Sequence, residues 1–207
     1  MAPFLQPDLA WDFRLDRVVS VNASGHKFGL VYPGVGWILW RDRDHLPEDL
    51  VFYTDYLGGP EPTMAINFSR PGSQVVAQYY NFIRLGFEGY RRIHQASQDV
   101  AVWLADQFEQ TGAFEVVTNG TDLPVITYRF DGDRWPSEFD LSERYRDRGW
   151  QVPAYPFPDN RSDLTVLRIV CREGFSHDLA ESLVTDTRRH LDVFRGGEDR
   201  HTGGFHH

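Results

Sequence analysis

Lysine is almost missing from this sequence: Lys27 stands alone against twenty arginines. Cysteine is as scarce, and a single thiol, Cys171, excludes a disulfide within the chain and fits a reducing compartment. No apolar run approaches the roughly 20 residues that cross a bilayer. The opening stretch, "MAPFLQPDLAWDFRLDR", lacks the charged-then-apolar plan of a secretion signal. Positive charge is also short. A net charge of −9 argues against nucleic acid or an anionic membrane as partner, since clustered Lys and Arg drive binding to both. These absences together predict a cytoplasmic protein. What is present is ordinary for a globular chain: 41% hydrophobic and 25% charged over 207 residues, enough to bury a core.

Along the chain the pattern changes twice. Residues 1–71 are rich in Gly and Pro and carry short strand-like runs, Arg17–Asn22 and Val35–Trp40, with Val51–Thr54 a further candidate. "DYLGGPEP" (Asp55–Pro62) reads as an exposed loop. Residues 72–112 are helical in period. Val76, Tyr79, Tyr80, Ile83, Phe87 and Tyr90 recur on one face, continued by Ile93, Ser97, Val100, Trp103, Leu104 and Phe108. Gly86 and Gly89 predict a break into two successive helices, whose aromatic faces are read as core. Residues 113–195 follow a β-β-α-β-α order: strands at Phe114–Thr118, Leu123–Phe130 and Leu164–Cys171, with two helices between and after them. The first helix has Ser137 or Asp140 as N-cap and Gly149 as stop. The second starts near Ser176 and is expected to bury Leu179, Leu183, Leu191 and Phe194. This predicts an α/β chain whose last part is a small open sheet with helices on one face. Residues 196–207 read as a polar, Gly-rich flexible tail.

Arginine serves for surface charge and ion pairs, but it cannot lose a proton near neutrality and so cannot act as a nucleophilic amine. A lone lysine therefore draws the eye to its surroundings, "SGHKFG". The glycines allow close backbone approach, and a serine hydroxyl and an imidazole can donate to phosphate oxygens. An amine with phosphate donors beside it is what pyridoxal phosphate requires. Chance in an arginine-rich composition is the plainer explanation, and spacing alone does not exclude it.

The wider pattern is narrower. "SGHKFG" followed by "GVGWILWRD", "DYLGG", "INFSRP", "QYYNFIRLG", "DLSERYRDRGWQVPA", "VLRIVCREGF" and a terminal "FHH" resembles, in order, the C-terminal portion of bacterial-type glutamate decarboxylases, group II pyridoxal-phosphate-dependent enzymes. The resemblance implies the end of a fold-type I transferase-like large domain in residues 1–71, a helical connector, and a small C-terminal α/β domain. It implies pyridoxal 5'-phosphate as cofactor, with Lys27 as the Schiff-base lysine. His26 and, more loosely, Ser24 would contact the cofactor phosphate, and Ser69 would reach the phosphate of a neighbouring subunit. Tyr56 and Leu57 would belong to a hairpin closing over the partner's site. Arg168 would hold the α-carboxylate of the substrate, and His206 or His207 would cap the site at higher pH.

By period alone, Arg168 alternates with Leu167 and Ile169 and fits the solvated face of a sheet. His26 taken alone fits a hydrogen-bonded structural histidine, and Cys171 a buried, inert thiol. His45, His94, His177 and His201 show no metal-ligand spacing, and no metal is expected.

The reaction implied is α-decarboxylation of L-glutamate to 4-aminobutyrate and carbon dioxide. It consumes a proton and so suits acid resistance. Members of the family are much longer, and the missing N-terminal portion would supply the ring carboxylate, most of the phosphate cradle and the groups for the distal carboxylate of glutamate. The expectation is a truncated form with little or no activity alone, in a homo-oligomer or paired with a full-length subunit. The alternatives are a non-catalytic subunit and a decarboxylase of another amino acid.

Overall fold

Runs of β-branched and aromatic residues become strands here only where a partner run lies opposite. The structure, a computed structural model, describes residues 1–55, 58–67, 69–132 and 135–201, with 197–201 described by backbone alone. The chain divides into two units, Met1–Tyr90 and Arg91–His207. The boundary between them falls within the stretch expected as a helical connector, residues 72–112.

In the first unit a short helix, α1 (Ala2–Leu5), precedes two antiparallel ribbons. β1 (Ser20–Ser24) pairs with β2 (Gly36–Trp40), and β3 (Phe52–Thr54) with β4 (Glu61–Thr63). β1 begins three residues and ends two residues beyond the expected Arg17–Asn22, because pairing with β2 sets its ends. β4 takes two residues, Glu61 and Pro62, from the stretch expected as loop. Arg41, at the end of β2, donates from Nε to the Val18 carbonyl at 3.0 Å and from Nη2 to Phe13 and Leu15 at 3.0 and 2.6 Å. A forked guanidinium can satisfy several carbonyls at once, as a lysine amine cannot do in one plane.

Helix α2 (Ser73–Glu109) is two helices meeting at Gly86, whose φ of 55° and ψ of −170° lie outside helical space. Only glycine occupies that region without strain, so the predicted break falls where the backbone can make it. The face exposed by α2 differs from expectation in its first half. Val76 and Ile83 are each 68% exposed and Tyr79 64%, while Gln78 is fully buried. The aromatic stripe faces outward, and the polar residues Gln74, Gln78 and Asn81, spaced i, i+4, i+7, line the inner side.

The second unit is a four-stranded antiparallel sheet in the order β5-β6-β8-β7, comprising β5 (Phe114–Asn119), β6 (Val125–Phe130), β7 (Ala154–Pro156) and β8 (Thr165–Val170). The short edge strand β7 is an addition to the three expected. Three residues around two prolines carry too little pattern to announce a strand. The second half of α2, α3 (Glu138–Asp147) and α4 (His177–His201) contribute to the core with one face of the sheet. Leu104, Phe108, Ile126, Tyr128, Leu141, Tyr145, Leu167, Leu183 and Leu191 are almost wholly buried there. Ser137 and Asp140 both cap α3: the Asp140 N–H donates to Ser137 Oγ at 3.3 Å, and the Ser137 N–H to Asp140 Oδ2 at 2.9 Å. Leu179 is exposed rather than buried, at 42%. α4 includes residues 196–201, which the composition placed in a tail. Among the described residues no helix is long and apolar enough to cross a membrane.

Candidate active site

β1 ends at Ser24, and the chain turns over residues 25–29 before β2. The turn is held by its own backbone. The Lys27 N–H donates to the Ser24 carbonyl at 3.2 Å, Gly25 N–H to Val35 at 3.0 Å, and Val31 N–H to Gly25 at 3.3 Å. Lys27 and His26 are exposed at its apex, and Ser24 is half-buried at its entry. Among the described residues, Lys27 makes no ion pair or side-chain hydrogen bond. Amine, imidazole and hydroxyl therefore share one turn, the amine exposed to solvent and the other two able to donate to an anion. That donor set fits an aldehyde bearing a phosphate.

The inner side of the turn is tightly built. A Cβ on Gly25 would stand 2.6 Å from Val35 Cγ1 and 2.8 Å from Gln78 Oε1. A Cβ on Gly29 would stand 2.5 Å from Gln78 Oε1 and 2.6 Å from the Gly25 carbonyl. Both glycines are required by close approach. Gln78 Nε2 donates to the Gly29 carbonyl at 2.7 Å and to the Tyr90 hydroxyl at 3.0 Å, and that hydroxyl donates to the same carbonyl at 2.9 Å. Asn81 Nδ2 donates to the next carbonyl, that of Leu30, at 2.6 Å. Leu30 is held at a φ of 61°, a left-handed position unusual for a branched residue. The Tyr90 ring is stacked on Phe4 at 5.3 Å and tilted against Phe82 at 5.6 Å. None of these supports was visible as such in the sequence. The only signal was the i, i+4, i+7 polar spacing on α2, which ordinarily marks a solvated face.

Ser69 is also in the first unit, exposed, with a φ of 53° that a non-glycine residue rarely adopts. Tyr56, Leu57, His206 and His207 lie outside the described residues.

Arg168 is on β8 in the second unit, on the face away from the helices. It is paired in register with Thr127 of β6, which in turn faces Thr118 of β5. The two threonine hydroxyls are 2.9 Å apart, and the Arg168 guanidinium lies over the Tyr155 ring at 5.3 Å. These four side chains line an open depression of about 620 Å³. The strand period correctly sets Arg168 on the open face. Tyr155, over whose ring the guanidinium lies, was not read because β7 itself was not. Cys171 is fully buried, and burial pushes its thiol up to about 12, so it is inert. Among the described residues no cluster of His, Cys, Asp and Glu could hold a metal.

The turn between β1 and β2 thus carries an exposed amine beside an imidazole and a hydroxyl, both able to donate hydrogen bonds to an anion. Residues 1–131 match the pyridoxal-dependent decarboxylase conserved domain, and the chain belongs to that family. It is 51% identical over 216 aligned residues to the glutamate decarboxylase of Aliivibrio fischeri, an alignment covering 100% of this chain and 47% of the relative. It is 52% identical over 187 residues to glutamate decarboxylase beta of Listeria innocua, covering 89% of this chain and 40% of the relative. The solved glutamate decarboxylase of Lactobacillus brevis superposes with a TM-score of 0.85 at 49% identity, over 93% of this chain and 44% of that one. The sphingosine-1-phosphate lyase of Burkholderia pseudomallei, at 24% identity and a TM-score of 0.73, shares the fold. The chain spans less than half the length of these curated relatives.

Proposed function

We propose that this chain carries the cofactor lysine of a glutamate decarboxylase and acts with polypeptide that supplies the rest of its relatives' length. The observation that carries this is the turn: the only lysine in the sequence stands exposed at its apex, next to His26 and close to Ser24. The roughly half-identical relatives named glutamate decarboxylase support the substrate.

Pyridoxal phosphate, when bound, supplies the electron sink for the electron pair left at the α-carbon as carbon dioxide departs. Lys27 would hold the aldehyde of that cofactor through Nζ. His26 Nδ1 or Nε2 and Ser24 Oγ would donate to phosphate oxygens, and the exposed Ser69 hydroxyl would serve the phosphate of a second subunit. Arg168, whose guanidinium lies over the Tyr155 ring, would bind a substrate carboxylate by charge and paired hydrogen bonds. The balance is one L-glutamate and one proton in, one 4-aminobutyrate and one carbon dioxide out. In domain terms, residues 1–71 complete a fold-type I large domain and residues 113–195 form its small companion.

The outward apolar face of α2, together with exposed Trp37, Ile38 and Leu39 on β2, supports assembly with further polypeptide, since surfaces of this kind are normally covered. Co-expression with the N-terminal half of a full-length relative tests the proposal. Release of labelled carbon dioxide from carboxyl-labelled glutamate is expected from the purified assembly, with a loss of more than a thousandfold in Lys27→Ala. Activity that survives Lys27→Ala, or an intact assembly that never releases carbon dioxide, would sink it.

A further inference from the structure

Gln78 and Tyr90 are twelve residues apart on what a straight helix would make a separation of about 18 Å along its axis. Their side chains could not meet across that distance. They meet at 3.0 Å because the helix breaks at Gly86, between them. The break brings the Tyr90 hydroxyl alongside the Gln78 amide, and both then donate to one oxygen, the carbonyl of Gly29, two residues after Lys27. Two donors on one half-buried carbonyl, themselves hydrogen-bonded, form a closed three-membered ring of partners. Gln78 is fully buried and Tyr90 is 2% exposed, so water does not replace either bond readily. The remaining amide oxygen of Gln78 has no hydrogen-bond partner among the described residues and lies against Gly25 and Gly29. A buried, unpaired acceptor is costly, and it persists here because the amide's other end is held twice.

We infer that Gln78 and Tyr90 are positioning residues for Lys27: brought together by the Gly86 kink, they clamp the Gly29 carbonyl and so fix the turn that presents the amine. The consequence for cofactor capture rests on the proposed function, whereas the clamp on the turn does not. Asn81 extends the same hold to the Leu30 carbonyl. The outward apolar stripe of α2 then leaves its polar stripe for this one task.

The test uses the full chain with Gln78→Leu, Tyr90→Phe, the pair combined, and Gly86→Ala, which denies the kink its backbone conformation. Two quantities are measured: amide hydrogen exchange in the peptide spanning residues 24–31, and the initial rate at which pyridoxal phosphate is trapped on Lys27 by borohydride, with Lys27→Ala as background. Either single substitution is expected to speed exchange in the turn about tenfold and to slow trapping severalfold. The double variant should be no worse than the worse single one, because all share one acceptor. Exchange over residues 43–54, also in the first unit, should not change, which separates a loosened turn from unfolding of that unit. Unchanged exchange in the turn for Gln78→Leu and Tyr90→Phe overturns the inference. So does faster exchange with trapping at the unsubstituted rate. Should the unsubstituted chain trap no cofactor, the proposed function falls, and the exchange rates alone decide the clamp.

Discussion

Gly29 shows how narrowly single residues are constrained around the candidate site. A methyl group there would meet the Gln78 amide oxygen at 2.5 Å and the Gly25 carbonyl at 2.6 Å, and neither can retreat without breaking the bonds just described. Gly29→Ala is therefore expected to destabilise the first unit by about 1–3 kcal/mol, read as a lowered urea midpoint by the fluorescence of Trp37 and Trp40. An unaltered midpoint would mean the turn has slack. At this scale the sequence was informative about chemistry and silent about support. Lys27 stood out because the rest of the chain uses arginine, and the glycines beside it marked a close approach. Gln78 carried no such mark: a glutamine in a helical repeat looks the same whether it meets water or a carbonyl. Arg168 was placed on the open face of its strand by alternation alone, but its partner Tyr155 depended on a strand too short to read.

Elements were legible where a period runs long. The second half of α2, the start of α3 at Ser137 and the three longer strands all follow from spacing and cap residues. The first half of α2 inverts the usual rule, with its apolar stripe outward and its polar stripe inward, because what faces it inside this chain is backbone rather than side chain. α4 carries a pH dependence of its own. His190 is buried, with Nε2 lacking a hydrogen-bond partner among the described residues, and its ring lies edge-on to Tyr145. Burial, and then the charge of Arg144, lower its pKa below the ordinary value. The folded state thus binds this proton less readily than the unfolded one, so the stability it contributes is full above about pH 6.5 and declines as pH falls through that value. Asp186, on the same helix, acts lower. Burial raises its pKa, but bonds from Trp150 and Arg148 outweigh this and hold the carboxyl below its usual range. Its contribution survives until pH drops through the carboxylate region. The melting temperature of the second unit should fall between pH 7.5 and 5.5, and His190→Gln should flatten that fall. An equal slope in the variant would remove His190 from the account.

Over the whole molecule, buried area is unevenly shared. The second unit closes a core between its sheet and helices, while the first exposes Val76, Tyr79, Ile83, Trp37, Ile38 and Leu39. Isolated two-stranded ribbons are marginal in water, and these surfaces make sense in a chain that spans less than half of its relatives' length. An apolar reporter dye should bind the chain alone and fluoresce strongly, and Val76→Glu with Ile83→Glu should reduce that signal. An equally bright doubly substituted chain would mean that the dye reads some other surface. The central claim, that Lys27 is the amine of a pyridoxal-phosphate enzyme, has a more direct test. The chain is mixed with pyridoxal phosphate, reduced with borohydride and digested, and the modified peptide is mapped by mass spectrometry against Lys27→Ala. Because the sequence has no other lysine, only the N-terminal amine competes. The account predicts near-stoichiometric modification at Lys27 and none in that peptide of the variant. Modification confined to the N-terminal amine would contradict it.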